Sequence, residues 1–217
     1  MKTILYKFPS RERPQKFFAA LSNIIELSRH PNFKIICTCD TDDPSMNNEE
    51  VLNQLALYGD RVQVFFGDSK TKVEAINADI DKSGDWDILC LHSDDMVFIK
   101  PGFDLDIIDA FENYEGLVHF PDQVQKRLIT YAMMSRSYYD QDGYIYSPQF
   151  ASVFCDNYQQ DIAQRRGQYK LVDKQILEHR HFAWGFGEKD ALLMRTEDKD
   201  TYHKDAQTYY RLIQPPV

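Results

Sequence analysis

Glycine is scarce in this chain: it has nine glycines among 217 residues, and the first of them is Gly59. The turn after a first strand therefore cannot carry either glycine-rich phosphate loop, G-x-G-x-x-G or G-x-x-x-x-G-K-S/T. The G-x-S-x-G nucleophile elbow and the H-E-x-x-H zinc helix are absent as well. These absences argue against dinucleotide-binding Rossmann enzymes, P-loop enzymes, α/β-hydrolases and zinc proteases. A nucleotide, if one binds, must be held in another way.

Long apolar runs and an excess of positive charge are also missing. The longest apolar runs have the length of a strand, so no segment is predicted to span a bilayer. Residues 1–9 lack the apolar core and the small-residue cleavage site of a signal peptide, so a cytoplasmic location is expected. The formal net charge is −9, which argues against the phosphate-backbone contacts of a nucleic-acid-binding protein.

Cysteines at metal-binding spacing are absent too. The chain has four cysteines and no C-x-x-C motif. Most of them lie in or beside predicted core strands, so buried and reduced thiols are expected. The four are Cys37, Cys39, Cys90 and Cys155.

Strand and helix patterns alternate through the first hundred residues. Strands are predicted at 3–8, 33–39, 61–66 and 88–92. Between them, apolar spacing predicts helices that begin at Pro14, cover 49–57, and include Val73, Ile76 and Ile80. This order indicates an α/β fold with a parallel sheet and right-handed crossovers. The second half is predicted to contain a helix at 102–114, strands at 117–120 and 128–134, a turn-rich stretch at 137–150, a helix at 157–166 and an extended segment at 178–182.

The predicted strand at 88–92 runs directly into two adjacent carboxylates, Asp94 and Asp95. Its apolar run is typical of a central strand covered on both faces, and open α/β sheets bind ligands at the carboxyl ends of such strands. Neighbouring carboxylates repel each other unless a cation or water screens them, and a hard divalent cation suits their oxygens. The alternative is a pair of turn residues that bond to their own backbone.

Four motifs follow one another along the chain: Pro9-Ser-Arg-Glu-Arg-Pro14, the acidic strand end at Asp40 and Asp42, Lys72-Val-Glu-Ala-Ile-Asn77, and Ser93-Asp-Asp95. In this order and spacing they resemble the glycosyltransferases of the GT-A fold, close to the large inverting family two, over most of the chain. The resemblance implies a Rossmann-like α/β fold with a mainly parallel central sheet, flanking helices and a smaller acceptor-side subregion. It implies one domain over residues 1–217, with a nucleotide-sugar-binding half at 1–100 and an acceptor-binding half at 101–217.

The resemblance also implies a donor site and a metal site. Asp95, in the third position of a D-x-D-like motif, would bind Mg²⁺ or Mn²⁺, and Asp94 would contact the ribose or the donor sugar. Ser93 replaces the first Asp of that motif, so this position supplies no carboxylate ligand. The other residues assigned to the donor are Pro9, Arg11, Arg13, Asp40, Asp42, Lys72 and Asn77.

Several of these donor-site residues have plainer alternatives. Arg11 and Arg13 offer the forked donors that match phosphate or base oxygens, but they can equally be solvated charges. Asp40 and Asp42 can simply end a strand. Lys72 can lie on a helix surface.

Residues of the second half complete the predicted site. By the same resemblance Asp156, just before the helix at 157–166, is the base that takes the acceptor's proton, although Asp156-Asn157 replaces a more common Glu-Asp pair; its alternative role is a helix N-cap. His179 and His181 share one face of an extended segment and are candidates for the metal or the diphosphate; their alternative is a structural or exposed role. Four tyrosines are either an acceptor platform or ordinary core: Tyr138, Tyr139, Tyr144 and Tyr146.

The predicted function is a metal-dependent transfer of a sugar from a UDP- or GDP-type donor to a carbohydrate or other acceptor hydroxyl, with inversion. One alternative is a sugar-1-phosphate nucleotidyltransferase, which normally carries a glycine-rich basic loop that this chain lacks. Another is a non-catalytic carbohydrate- or nucleotide-binding protein of the same fold. The replacements at Ser93 and at Asp156-Asn157 keep that last alternative open.

Overall fold

A computed structural model describes residues 1–186 and 190–214. The strands are β1 (Ile4–Pro9), β2 (Phe33–Asp40), β3 (Val62–Gly67), β4 (Ile88–Leu91), β5 (Met96–Phe98), β6 (Leu117–His119), β7 (Met133–Ser135), β8 (Tyr169–Leu171) and β9 (Leu177–His179). The α-helices are α1 (Pro14–Leu27), α2 (Glu49–Ala56), α3 (Lys72–Asn77), α4 (Phe103–Ala110), α5 (Arg136–Asp142), α6 (Cys155–Arg165), α7 (Ala191–Thr196) and α8 (Lys199–Ile213). None of the helices described in this structure combines the length and the apolar character needed to span a bilayer.

Seven strands form one sheet in the order β3-β2-β1-β4-β7-β6-β8. The four strands from the first half of the chain are parallel to one another. Strand β7 runs antiparallel to both of its neighbours, and β6 and β8 are parallel. The predicted α/β fold with a mainly parallel central sheet is therefore confirmed.

The two faces of the sheet are buried in separate hydrophobic clusters because successive side chains of a strand point to opposite faces. On β1, Ile4, Tyr6 and Phe8 join the cluster that contains the buried side of α1, whereas Leu5 joins the cluster on the other face. All four residues of β4 are buried, as expected for a central strand covered on both sides. All four cysteines are free and buried, as predicted.

Strands β1, β2 and β4 end at the same edge of the sheet because they are parallel. Their register places Pro9 beside Thr38 and Lys7 beside Leu91. A second, two-stranded sheet pairs β5 with β9 in antiparallel fashion and sets Met96 opposite His179. The last third of the chain therefore returns to the edge where the first half places its polar loops.

The strand predicted at 128–134 is wrong over most of its length, since only residues from Met133 onward join the sheet as β7. Residues 128–131 form hydrogen bonds that involve side chains instead of strand pairing, and the Ala132 carbonyl accepts the N–H of Leu91 in β4. The backbone N–H of Ile129 donates to the side chain of Gln160 at 2.8 Å, and the hydroxyl of Tyr131 donates to the carbonyl of Phe120. An apolar run thus packs in the core without strand pairing.

Two other local predictions need correction. The stretch at 137–150 begins with a helix, α5, because the Ser135 side chain caps it by accepting the N–H of Tyr138. The helix predicted through Ile80 ends at Asn77, because Asp79 adopts a left-handed conformation with φ 64° and Ile80 starts a separate 3₁₀ turn. Tyr138 is buried in the core, whereas Tyr146 is buried but still lines the cavity described below.

Candidate active site

A cavity of about 690 Å³ opens at the carboxyl edge of β1, β2 and β4. It collects most of the residues predicted for the site, from segments far apart in the chain. Those that line it are Pro9, Arg11, Arg13, Asp40, Lys72, Asp94, Asp95, Asp156, His179 and His181. Asp42 and Asn77 are not among its lining residues.

Arg11 joins the acidic end of β2 to the cavity. Its guanidinium contacts Asp40 at 2.7 Å and also pairs with Asp42, whose side chain is 76% exposed. Among the described residues the second Asp40 oxygen, Oδ1, is buried and has no hydrogen-bond partner. Asp40 therefore keeps one acceptor atom for a ligand, whereas Asp42 reaches the site only through Arg11.

Asn77 fixes a loop beside the cavity. Its side-chain Nδ2 donates to the carbonyl of Tyr146 at 2.7 Å, and its Oδ1 accepts the backbone N–H groups of Ile145 and Tyr146. The amide is therefore occupied by the protein's own backbone. Its predicted place against the nucleotide does not fit this arrangement.

Asp94 is paired with Arg13. Its side chain is only 6% exposed, and its Oδ1 accepts from Arg13 at 2.9 Å. Arg13 also contacts Asp190, the N-cap residue of α7, at 2.7 Å. Burial raises the pKa of Asp94 to about 6, and the Arg13 charge opposes that rise. Arg13 thus ties the central motif to the C-terminal helices across the cavity.

Replacing Arg13 with methionine is expected to lower the free energy of unfolding by about 3 kcal/mol at pH 8, because it leaves the buried Asp94 charge unpaired. At pH 5 the loss is expected to be smaller. The pKa of Asp94 is about 6, so at pH 5 this carboxyl is mostly protonated and needs no counter-charge. Urea unfolding at pH 5 and pH 8 measures the loss of unfolding free energy at each pH.

The control for that measurement is Arg136→Met. Arg136 forms an exposed pair with Asp140 one helical turn away in α5. Its guanidinium also lies over the Trp86 ring, 4.8 Å from the centroid, so its loss should change stability by about 1 kcal/mol at most, and by the same amount at pH 5 and pH 8. Equal losses for both variants, or a larger loss for Arg13→Met at pH 5 than at pH 8, would contradict the assignment.

Asp95 lies beside His179. Strand β9 is held there because the backbone N–H of Arg180 donates to the Asp95 carbonyl at 2.7 Å. The His179 Nε2 atom is 3.4 Å from Asp95 Oδ2, and the Ser93 hydroxyl donates to Asp95 Oδ1. Burial acts to raise the pKa of Asp95, but the His179 and Ser93 contacts outweigh it and lower the pKa well below the usual range. The carboxylate is therefore charged at any working pH.

Asp95 and His179 are the pair that fits a divalent cation. Two ligands about 2.1 Å from one cation, at roughly a right angle, are about 3 Å apart, close to the observed 3.4 Å. Within the described parts of the chain no cluster of three or more His, Cys, Asp or Glu side chains is arranged to hold a metal. This agrees with Mg²⁺-type sites, which use one or two protein ligands and leave other positions to substrate phosphates and water. Asp94 is not part of the pair, since Arg13 holds it.

Glu197, which sequence reasoning missed, stands at the opposite wall. Its carboxylate is 3.6 Å from His181 Nε2 and 4.0 Å from Lys72 Nζ, and it lines the cavity. Burial acts to raise the pKa of Glu197, but the hydrogen bond from His181 and the charge of Lys72 lower it. Nothing in the local sequence marks Glu197, since it only follows the end of α7. Lys72 and His181 thus lie at the cavity with a carboxylate between them.

Asp156 lies in the first turn of α6 and faces the cavity. It is not the N-cap, because the helix begins one residue earlier and Phe154 occupies the cap position with φ 60°. Its carboxylate accepts the backbone N–H of Asn157 at 2.8 Å. Burial raises the pKa of Asp156, and the Asn157 N–H bond and the charge of Lys72 offset only part of that rise. A buried carboxyl with a raised pKa at a cavity wall is suited to accept a proton.

Comparison with solved structures finds the same fold in glycosyltransferases. The chain is similar to the mannosyltransferase PcManGT from Pyrobaculum calidifontis, solved with GDP-Man and Mn²⁺, at 10% identity over 99% of this chain and 76% of that chain, with a TM-score of 0.69. It is also similar to glucosyl-3-phosphoglycerate synthase from Mycobacterium tuberculosis, solved with Mn²⁺, UDP and phosphoglyceric acid, at 14% identity over 100% and 80% of the two chains, with a TM-score of 0.66.

A third similar structure is 4-diphosphocytidyl-2C-methyl-D-erythritol synthase from Anaerococcus prevotii, at 12% identity over 95% and 96% of the chains, with a lower TM-score of 0.56. No protein-family model matches the chain, and no curated protein matches it in sequence. At such low identities the structural likeness is a likeness of fold. The chain has the GT-A fold, as the order of its motifs predicted.

Proposed function

We propose that this protein is a metal-dependent glycosyltransferase that moves a sugar from a nucleoside diphosphate donor to an acceptor hydroxyl. The observation that carries the proposal is the Asp95–His179 pair at the carboxyl end of the central strand, in one cavity with the buried carboxyl of Asp156. A cation-binding pair and a proton acceptor in one cavity are the two parts that such a transfer needs. The GT-A fold supports the same reaction class.

The donor half of the proposed site is supported by polar groups at the cavity wall, at the end of β2 and the start of α3. Asp40 offers its unpartnered Oδ1 to an N–H or hydroxyl group of the nucleoside, and Arg11 holds that carboxylate in place. Lys72 starts α3 at the cavity wall and supplies a mobile positive charge for the phosphates. These contacts support a donor site in the 1–100 half of the chain.

A bound divalent cation neutralises the charge that develops on the departing diphosphate. Asp95 and His179 would hold it. Because Mg²⁺ prefers oxygen ligands, the imidazole nitrogen of His179 favours Mn²⁺ over Mg²⁺.

The acceptor half of the site centres on Asp156. Its carboxylate takes the proton of the acceptor hydroxyl as that oxygen attacks the anomeric carbon. The Asn157 N–H fixes the carboxylate, and α3 is tied to the loop before α6 by the bond from the Val73 N–H to the Ala151 carbonyl, 3.1 Å long. Attack from the side opposite the diphosphate gives inversion, which we propose for this enzyme.

Two other functions are weaker. A sugar-1-phosphate nucleotidyltransferase is consistent with the third similar structure, but its TM-score is 0.56 against 0.69 for the mannosyltransferase, and the chain lacks a glycine-rich basic loop. Release of pyrophosphate from a nucleoside triphosphate and a sugar 1-phosphate would support that alternative. A non-catalytic binding protein would bind a nucleotide sugar without hydrolysing it, whereas the proposed enzyme should slowly release nucleoside diphosphate when Mn²⁺ is present.

Thermal unfolding with nucleoside diphosphates tests the donor and metal sites together. UDP or GDP at about a hundred times its dissociation constant should stabilise the protein by about 2.7 kcal/mol, and that gain should need Mn²⁺. Asp95→Asn should remove the Mn²⁺-dependent part of the shift. If no nucleoside diphosphate raises the unfolding temperature with Mn²⁺, the donor site proposed here is wrong.

A further inference from the structure

The imidazole of His179 lies between two carboxylates. Its Nε2 atom faces Asp95 in the cavity, at 3.4 Å from Oδ2, and its Nδ1 atom faces Asp122 at 3.9 Å. The Asp122 side chain is 0% exposed and stands behind the histidine, away from the cavity lining. Among the described residues, Nδ1 is buried and has no hydrogen-bond partner. Burying a donor or acceptor without a hydrogen-bond partner costs free energy of folding, so a hydrogen bond to Nδ1 would stabilise the protein.

The carboxylate of Asp122 is fixed by its own loop. Oδ1 accepts the backbone N–H groups of Val124 and Gln125, and Oδ2 accepts the Thr130 hydroxyl at 2.9 Å. A carboxylate oxygen can accept more than one hydrogen bond, so Oδ2 has capacity left for His179. A separation about 1 Å shorter would make that bond.

The same loop also holds the backbone of His179. The His179 N–H donates to Gln123 Oε1 at 2.8 Å, and Gln123 Nε2 donates to the His179 carbonyl at 2.8 Å. Asp122 therefore faces the ring of His179, and its neighbour Gln123 binds the backbone of the same histidine. This arrangement determines where the imidazole lies and which way it faces.

We propose that Asp122 is a positioning residue that holds the His179 proton on Nδ1 when a cation binds between Nε2 and Asp95. The proposal rests on the proposed function, because it assigns Nε2 to the cation. Histidines that bind metals usually donate their other N–H to a carboxylate or carbonyl, which sets the tautomer. With the opposite tautomer, a proton on Nε2 would lie where the cation has to bind.

Asp122→Asn tests this assignment because the loop dictates how the new amide is oriented. The N–H groups of Val124 and Gln125 require an acceptor, so the amide oxygen must take the place of Oδ1. The amide NH₂ group then faces His179 Nδ1 as a donor. The variant should therefore push the imidazole proton onto Nε2.

The first readout is the tautomer of His179 in the full-length chain saturated with Mg²⁺, a diamagnetic cation, measured by ¹⁵N NMR of labelled histidines at pH 8.5. The His179 signals are identified by their loss in His179→Gln, since the chain has six histidines. The wild-type protein should carry the proton on Nδ1, and Asp122→Asn should carry it on Nε2.

The second readout is Mn²⁺ affinity, measured by titration calorimetry with Mn²⁺ alone. Loss of such a supporting contact typically weakens metal binding by about tenfold to a hundredfold, and we expect Asp122→Asn to fall in that range. The control is Asp104→Asn. Asp104 is another buried carboxylate that accepts backbone N–H groups, from Arg29 and His30, but it is not part of the cavity lining. It should leave both the tautomer and the affinity unchanged.

The outcomes separate this proposal from the proposed function. A wild-type His179 with its proton on Nε2, or an Asp122→Asn variant that changes neither readout, overturns the positioning role while leaving the transferase open. Failure of the wild-type protein to take up Mn²⁺ counts against the metal site of the proposed function and removes the role of Asp122 with it. Equal losses in Asp122→Asn and Asp104→Asn would mean a general structural effect and would also overturn it.

Discussion

Asp95→Asn is expected to slow Mn²⁺-dependent sugar transfer by about a hundredfold to a thousandfold, equivalent to about 3 to 4 kcal/mol of lost transition-state stabilisation. The substitution keeps the shape of the side chain and removes the charge that stands 3.4 Å from His179 Nε2. Because the amide is a poor cation ligand, the charge on the departing diphosphate would be left uncompensated. The release of nucleoside diphosphate, followed at several Mn²⁺ concentrations, measures the effect.

The fold of the Asp95→Asn variant should be intact, and its defect should shrink as Mn²⁺ is raised. Asp140→Asn, at a half-exposed carboxylate of α5 outside the cavity lining, should transfer at the wild-type rate. If Asp95→Asn kept full metal-dependent transfer, the cation site would have to be assigned elsewhere and the proposed mechanism abandoned.

Asp156→Asn should lower kcat by about a hundredfold to ten-thousandfold, because it removes the group that accepts the acceptor's proton. It should not lower stability. The pKa of Asp156 is raised by burial, so the charged form is less favourable in the folded protein than in the unfolded chain. This penalty is absent at low pH, where the carboxyl is protonated in both states, and it grows as the pH rises toward the raised pKa. An uncharged amide avoids it.

The combination is diagnostic: activity falls while the free energy of unfolding at pH 8 stays equal or rises. Chemical denaturation at pH 5 and pH 8 should show a gain of the variant that is larger at pH 8 or equal at the two pH values, and never larger at pH 5. In the wild-type enzyme the acidic limb of the kcat profile should lie above the pH expected for an ordinary aspartate, because the base acts only when deprotonated. A variant that lost stability in parallel with activity would assign Asp156 to the fold instead of to catalysis.

Part of this site could be predicted from the sequence because it depends on local patterns. A buried apolar strand is marked by its own residues, and a parallel sheet brings the ends of such strands to one edge. Asp40, Asp94 and Asp95 could therefore be placed together before any coordinates were known. Asp122 carries a similar signal, since it follows the predicted strand at 117–120.

The pairings within the site could not be read in this way. Arg13 meets Asp190 across 177 positions of sequence, and Glu197 meets Lys72 across 125 positions. Such contacts depend on how β9 folds back onto β5 and how α7 packs over the cavity, and no local pattern encodes them. For the same reason Asn77, which looked like a nucleotide contact, holds a loop instead.

The sequence by itself determined the class of the fold and the edge of the sheet at which chemistry can occur. Hydrophobic periodicity is a property of each local segment, and the order of the strands and helices that it predicts defines the fold class. The tertiary structure alone decided which carboxylate is neutralised by arginine, which one faces a histidine and which one is buried enough to act as a base. These three carboxylates are, in the same order, Asp94, Asp95 and Asp156. They differ because the pKa of a carboxyl group depends on the atoms that surround it, and those atoms come from distant parts of the chain.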